Sequence, residues 1–577
     1  MSTAETTRNA PPDPPSAGTA PMSHRAVLLA LSGLLMAMFV AMLSSTVVST
    51  ALPRIVADLG GSEAGYTWVV TASLLTMTAT TPIWGKFADL FSKKALTQLA
   101  LLIYLAGSIV AGLADGIGVL IVARLIQGIG MGGLSALVQI VIASMITARD
   151  RGKYFGYLGA VFAVATVSGP LLGGLLVDAT ALGDALPGYM SGDAWRWCFY
   201  VGVPFAVIAF AVLQKTLHLP TVKRDVSIDY VGATLITAGV SVLLVWVSLG
   251  GSQFEWGSAL SIGMLVGGLA LLALFVWAET RVREPIIPLH LFKDRTTSLA
   301  VFASVMVGVA MFAGTVFLVQ YFQLSRGMSP TKAGLMTLFL VGGVLVSSVV
   351  SGRLIAAKGK WKRFLIFGSV VLMAGTILLS TINSTMPVVV VGIYMTVLGI
   401  GVGCLNQNLV LAVQNNAAQK DIGSASSLAS FMRTMGGAIG VSALGTALGH
   451  KVAASISGAA HSDPEVGKAM MSVDTHQIPD VTTLGDVLRP VYEHAYGSGV
   501  AQVFLFSVPF AILAFVAVLF IKEVPLRETI EREDELADLE AESGDAPGDG
   551  DDGPDADPAA TPGASGPADT PSGVKVS

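Results

Sequence analysis

The chain has 577 residues, 53% of them hydrophobic and only 13% charged, with a formal net charge of −5. Soluble domains carry roughly 25% charged residues, so this composition, with a mean hydropathy of +0.70, excludes an ordinary soluble chain. The apolar residues come in runs of about 20, the length that crosses a ~30 Å hydrocarbon core, and the sequence predicts an all-α polytopic membrane protein.

Residues 1–23 are rich in Pro, Ala, Ser and Thr. They lack the charged start, apolar middle and cleavage site of a signal peptide, and are expected to be a disordered cytoplasmic tail. Spans are predicted near 26–48, 66–84, 96–114, 117–146, 155–177, 197–214, 229–249 and 258–278. A second set follows near 297–322, 333–355, 364–382, 387–413, 424–449 and 499–521, about fourteen in all. Lipid offers no partners to backbone polar groups, which forces the spans to be helices. Residues 450–498 read as a long polar loop without helical period, and 523–577 as a disordered acidic tail. From Glu523 onward there are 16 acids and 3 bases, so the rest of the chain is net basic.

Alternate loops hold 18 Lys and Arg on one side and 7 on the other. The positive-inside rule puts the richer side, and with an even helix count both termini, in the cytoplasm. The two cysteines, Cys198 and Cys404, lie in separate apolar segments and suggest no disulfide framework.

An internal repeat divides the chain. Gly85-Lys86-Phe87-Ala88-Asp89-Leu90-Phe91-Ser92-Lys93-Lys94 follows the second span, and Gly352-Arg353-Leu354-Ile355-Ala356-Ala357-Lys358-Gly359-Lys360-Trp361 follows the tenth. The expected organisation is a six-helix bundle over 24–214, helices 7 and 8 with their linkers over 215–296, and a second six-helix bundle over 297–522 that includes the 450–498 extracytoplasmic loop. Parallel repeats about an axis normal to the membrane are a transporter architecture, with substrate held between the halves.

Several residues stand out within this frame. Gly85 permits close backbone approach. Asp89 falls beside helix ends, where a carboxylate is favoured at a positive terminus. Arg124, in Ala123-Arg124-Leu125-Ile126-Gln127-Gly128-Ile129-Gly130-Met131-Gly132, lies inside a span, where a cation is a functional-site hypothesis; snorkelling or pairing with a carbonyl is the structural alternative. Gly159 and then Ser168-Gly169-Pro170-Leu171-Leu172-Gly173-Gly174 occupy helix 5. There Pro170 should kink the span, and the glycines leave a flat surface for a neighbouring helix to rock on. Thr46-Val47-Val48-Ser49-Thr50-Ala51-Leu52-Pro53 closes helix 1, and Trp195-Arg196-Trp197 opens helix 6 with rings suited to the interface. Arg433, within Arg433-Thr434-Met435-Gly436-Gly437-Ala438-Ile439-Gly440, is a second intramembrane cation, open to structural pairing or to coupling.

Four of these phrases, in this order, resemble the major facilitator superfamily in its fourteen-helix drug:proton antiporter branch (EmrB/QacA-like), over about Leu28 to Lys522. The resemblance implies a conformational latch at Gly85, Asp89, Lys93 and Lys94, and a place for Arg124 in proton coupling with Gln127 as its neighbour. It also implies an antiporter motif at Gly159, Gly169, Pro170, Gly173 and Gly174, hence export rather than uptake. Two places depart from the pattern. Ser44 stands where relatives commonly carry an acid, and Gly202 where an Asn is often found. Proton exchange needs a titrating group, and Asp178 at the outer mouth of helix 5 joins Arg124 and Arg433 as a coupling candidate.

Phe39, Met42, Gln127, Gln320, Gln323, Asn406, Gln407 and Asn408 are candidate cavity residues, since soft and polar mid-span groups suit promiscuous ligands; packing and interhelical hydrogen bonding compete for each. With no acid inside the membrane, neutral or anionic amphiphiles fit better than cations. No Walker motif, metal-ligand spacing or nucleophile–base set is present, so no ATP, metal or cofactor is expected and the proton gradient supplies energy. The expected partners are a small hydrophobic or amphiphilic substrate and the bilayer, with no nucleic acid; an envelope lipoprotein partner is left open. Export of a lipid or glycolipid is the alternative within transport, and a non-transporting sensor or scaffold the alternative from another class.

Overall fold

The computed structural model describes residues 24–527, except 61–62, 179–193, 218–228, 252, 283 and 471–484. The expected N-terminal tail and the tail from 528 onward lie outside the described residues. Fourteen long helices follow one another: α1 (His24–Asp58), α2 (Glu63–Leu90), α3 (Lys93–Gly112), α4 (Ile117–Met145), α5 (Ala148–Asp178) and α6 (Trp197–Thr216). Next come α7 (Tyr230–Leu249) and α8 (Ala259–Glu279), then α9 (Arg295–Gln320), α10 (Pro330–Lys358), α11 (Lys362–Leu379), α12 (Val388–Asn416), α13 (Ile422–Ser462) and α14 (Arg489–Phe520). Thirteen are long and apolar enough to span a membrane. The other, α2, is 28 residues long but rich in threonine, and its hydroxyls turn back onto its own carbonyls, as in Thr78 to Leu74 and Thr81 to Met77.

Two six-helix bundles result, α1–α6 and α9–α14, with α7 and α8 paired between them and resting on α2 and α13. The halves meet through α2 against α13 and α5 against α10. In lipid no hydrophobic force drives helices together, so close packing of small residues must do it. Gly128 and Gly132 show this: their Cα atoms abut α2 at Ser73 and Met77. The outer faces are apolar; α8 presents Leu260, Val266, Leu269 and Trp277 to its surroundings. Such a stripe is a liability in water and ordinary against acyl chains.

Three expectations are corrected. The described part of 450–498 is largely helical rather than an irregular loop: α13 continues to Ser462, a short helix covers Pro464–Met470, and α14 begins at Arg489, while 471–484 lie outside the described residues. The period escaped notice because the stripe is sparse. Leu448, Val452 and Ile456 recur at four-residue spacing, all buried, and Leu448 and Val452 pack on Gly499 of α14. Residues 523–527 are ordered rather than tail-like. Trp361 Nε1 donates to the Val524 carbonyl at 2.8 Å, and the Arg527 N–H donates to Asn415 Oδ1 at 3.0 Å. Trp195 is 2% exposed, not at an interface; Arg196 lies over its ring and caps α3 through the Gly112 and Ala114 carbonyls.

One end of the molecule carries Lys86, Lys94, Arg149, Lys215, Lys358 and Lys420, at the close of α2, α4, α6, α10 and α12 and the start of the helices that follow. It is called the basic end below.

Candidate functional site

The segment from Gly85 to Leu90 forms the last turns of α2 rather than a loop; Phe91 and Ser92 alone separate it from α3. This puts Asp89 against the first turn of α13. Its Oδ1 accepts the Gly423 N–H at 2.7 Å, and its Oδ2 accepts the Ser424 N–H at 2.8 Å and the Ser424 hydroxyl at 2.7 Å. First-turn N–H groups have no intrahelical acceptor, and a carboxylate there also meets the positive end of the helix dipole. The approach depends on glycine: a Cβ on Gly85 would overlap the Ser427 side chain, and one on Gly423 would overlap Asp89 and the Gly85 carbonyl. Lys93 lies close enough to Asp89 to act on it electrostatically. Lys94 turns away to the Gln214 carbonyl at the end of α6, 2.7 Å away.

The α5–α10 seam repeats the design with reversed polarity. Ala356 stands where the first copy of the repeat has Asp89, and its carbonyl accepts from Arg149 Nε at 3.2 Å. A cation from the start of α5 thus meets the carbonyl end of α10, again favourable to the dipole. A Cβ on Gly152 would overlap the Gly352 carbonyl, and one on Gly352 the Gly152 carbonyl. Arg151, buried, donates to the Ala143 and Ile146 carbonyls at 2.6 and 2.9 Å and to Gln414 Oε1 at 3.0 Å; Gln414 Nε2 donates on to Ser426 at 2.9 Å. Sequence reading took Arg149 and Arg151 only as topogenic charges.

The seam loosens away from the basic end. Gly152 faces backbone and Gly156 faces Val349 too closely for a Cβ. A Cβ on Gly159, two turns further along, would sit 3.6 Å from Ser348 and 3.7 Å from Leu345, an ordinary contact. On α10, beyond Leu345, a Cβ on Gly342 would meet nothing within 4 Å. Gly169, by contrast, packs on Thr46 of α1, whose hydroxyl donates to the Ala165 carbonyl at 3.2 Å. The expected antiporter phrase therefore divides: Gly159 faces the other half, while Gly169 lies inside its own bundle. Gly173 is buried in the same helix. The side chains of Pro170, Gly174 and Asp178 fall outside those described, although α5 runs unbroken through all three.

Arg124 is 3% exposed and held by neutral acceptors. It donates to the Val69 carbonyl at 3.3 Å, Gln127 Oε1 at 3.0 Å and Ser73 Oγ at 2.8 Å. Gln127 in turn donates to Ser108 at 2.8 Å and is fully buried, so it locks α2, α3 and α4 together rather than lining a cavity. Ser44 and Gly202 converge on Tyr104: Ser44 is its neighbour, and a Cβ on Gly202 would stand 2.7 Å from its hydroxyl.

The other cavity candidates scatter. Phe39 stands edge-on to Phe205 with centroids 5.6 Å apart, in the α1–α6 contact. Met42 is half-buried beside it on α1. Gln320 and Gln323 are half-buried at the far end of α9, Gln323 in a π-turn over Tyr321–Ser325. Asn408 is enclosed, donating to the Cys404 carbonyl at 2.7 Å and Ser351 Oγ at 3.4 Å. Asn406 Oδ1 and Gln407 Oε1 are buried without a hydrogen-bond partner.

Sequence reading also missed an ionic cluster under the inserted pair. Lys86 is buried and pairs with Glu284 at 2.6 Å. Asp229 caps α7 through the Gly232 N–H at 2.8 Å, and Glu279 Oε1 accepts the Ile286 N–H at 3.2 Å. Both carboxylates border Gly232, and Asp229 Oδ2 and Glu279 Oε2 are buried without a partner. Lys86 and Glu284 are 198 residues apart, so no local pattern could have joined them.

Two six-helix bundles that meet through glycine seams are the architecture of a membrane transporter. The sequence pattern of the Major Facilitator Superfamily matches residues 34–441, and the chain belongs to that family. It is 32% identical to the multidrug transporter protein MdtP of Bacillus subtilis over 420 residues, 73% of this chain and 75% of that one. It is 35% identical to the efflux pump dotC of Dothistroma septosporum over 421 residues, covering 72% and 70%. Among solved structures, a bacterial homologue of the human lysosomal transporter Spinster, inward-facing and unoccupied, is similar with a TM-score of 0.56 and 15% identity, over 87% of this chain and all (100%) of that one. That likeness concerns the fold.

Proposed function

We propose that this chain exports drugs or hydrophobic and amphiphilic metabolites across the plasma membrane, in exchange for protons, as a member of the fourteen-helix drug:proton antiporter branch. The basic end faces the cytoplasm, with both termini there, as the Lys and Arg distribution requires. The observation that carries the reading is the pair of seams, α2–α13 and α5–α10, each closed at the basic end by a glycine contact and a polar clasp. Closure there, with the α5–α10 seam widening beyond Gly159, corresponds to a state open to the outside. Alternating access then consists of breaking the Asp89 and Arg149 clasps while the far end closes. The named efflux relatives support export.

Arg124, Asp178 and Arg433 remain the coupling candidates. Arg124 acts through its position: its three neutral acceptors lie on α2 and α4, so moving α2 changes how well the guanidinium is satisfied. The test is substrate-dependent proton movement in proteoliposomes across a panel of dyes, antibiotics and lipids. Dye efflux with proton influx supports the antiporter. Transport of lipid alone moves the protein to the lipid-export alternative, and movement of a substrate without any proton flux removes the coupling.

A further inference from the structure

We propose that the wall formed by α12 and α13, just beyond the closed basic end, recognises the anionic head of an amphiphile, with Arg433 as its counter-charge. The inference rests on the export reading above and names a substrate class for it.

Arg433 lies eleven residues into α13, about 16 Å from its start at a helical rise of ~1.5 Å per residue. It is half-buried, yet no hydrogen bond or ion pair joins it to a described residue. Arg124 shows how this fold satisfies a guanidinium with its own groups: three neutral acceptors close around it. Nothing comparable surrounds Arg433. The adjoining helix, α9, approaches at that level through Gly308, which abuts the Arg433 backbone, and through Val305, Val309 and Phe312 against the glycines that follow. None of these can balance a charge. The carboxylates on the described helices lie toward helix ends, at Asp58, Glu63, Asp89, Asp150, Asp178, Glu279, Glu465 and Glu493. A cation left without counter-charge inside a membrane is costly, and no described residue supplies one.

Helical period fixes what shares its face. Ser426, Ser430 and Arg433 fall at i, i+4 and i+7 on α13, and Gln414 and Gln407 one heptad apart on α12. The Ser426–Gln414 hydrogen bond shows that these two faces meet at the basic end. One step further in, the same faces carry Ser430 and Gln407, only 4% and 9% exposed, whose Oγ and Oε1 have no partner. Next comes Arg433. A satisfied polar strip thus gives way to an unsatisfied one, ending in a fork that matches a carboxylate, sulfate or phosphate. Ser430 can donate a second hydrogen bond to the anion, and Gln407 Oε1 can accept from a hydroxyl on the same head.

The test compares binding of nitrobenzoxadiazole-labelled dodecanoate and its uncharged primary amide to the full chain in phosphatidylcholine nanodiscs. Wild type should bind the acid at least about tenfold more tightly than the amide, the scale of a charge-assisted pair. Arg433→Gln should erase that preference while leaving amide affinity unchanged, Arg433→Lys should keep part of it, and Ser430→Ala should weaken acid binding alone. Equal affinity of wild type for both probes, or a preference that survives in Arg433→Gln, overturns the inference. If Arg433→Gln does not fold, the wild-type preference and Ser430→Ala decide in the same terms. Repeating the measurement in phosphatidylglycerol nanodiscs separates the sources: undiminished binding marks an exported acid as occupant, and competition marks an anionic bilayer lipid. In proteoliposomes, wild type that exports the amide without preferring the acid refutes this inference alone, whereas wild type that exports neither probe nor any member of the dye, antibiotic and lipid panel refutes the export reading.

Discussion

Asp89, at the end of α2, holds Ser424, at the start of α13, through both the backbone N–H and the hydroxyl, across 335 residues of sequence. The clasp joins the two halves at a place where neither has a long side chain to spare, because Gly85 and Gly423 bring the backbones into contact. Its partner seam reverses the charges, with Arg149 on the Ala356 carbonyl. One duplicated motif has thus become two complementary clasps.

Asp89→Asn removes the charge but keeps an acceptor. Hydrogen bonds to a charged group contribute ~1.5–3 kcal/mol against ~1 for neutral ones, so the closed basic end should lose about 1 kcal/mol. Maleimide labelling of a cysteine introduced at Ser427 should accelerate about fivefold, because the population open at the basic end rises by that factor. An unchanged labelling rate would show that Asp89 does not hold the seam.

Gly352→Val places methyl groups on the Gly152 carbonyl. The basic end should then fail to close, and transport should fall by more than about tenfold while insertion and helix content are kept, since overpacking costs ~1–3 kcal/mol. Gly342→Val, where a side chain meets nothing within 4 Å, is the control and should transport normally. Spin-label distances across the basic end check both.

Arg124→Met leaves Gln127 Oε1 without its donor and takes one hydrogen bond each from Ser73 Oγ and the Val69 carbonyl. Each buried group left unsatisfied costs ~1–3 kcal/mol, so thermal unfolding in detergent should begin several degrees lower. Arg124→Lys can serve at most part of this fork-shaped site and should fall between. If coupling runs through Arg124, proton influx per substrate exported falls in Arg124→Lys even where export persists.

The fourteen long helices were legible because lipid demands long helical spans, thirteen of them strongly apolar, and that demand is local. Their ends were not. Val452 and Ile456 continue α13 past the predicted span with a stripe too thin to read against the alanines, serines and glycines around it. The motifs were legible as phrases, so Asp89 and Arg124 could be singled out. Gln127 could be placed beside Arg124, but the distant partners could not be read, since Gly423 lies 334 residues from Asp89 and Gln414 263 from Arg151. Gln127 looked available for substrate because an amide in a span is conspicuous; only packing reveals that Arg124 and Ser108 already occupy it.

Lys86→Met leaves Glu284 unpaired and removes a cation that acts on Glu279. Breaking a buried pair costs ~3–5 kcal/mol, and less where one partner, as here, is partly exposed. Hydrogen exchange in α7 and α8 should quicken. Glu279→Gln should slow it in the Lys86→Met background by relieving the like charges beside Gly232, and no change in either variant would detach the inserted helices from α2.

The central claim is that transport requires the basic end to open and close about the two glycine seams. Its most direct test is a short bismaleimide bridge between Arg149→Cys and Ala356→Cys, in a background with Cys198→Ser and Cys404→Ser. The predicted result is that bridged protein, kept folded and inserted, transports no substrate, while unbridged protein with the same four substitutions and single-site maleimide adducts retains activity. Undiminished transport by fully bridged protein would contradict the account.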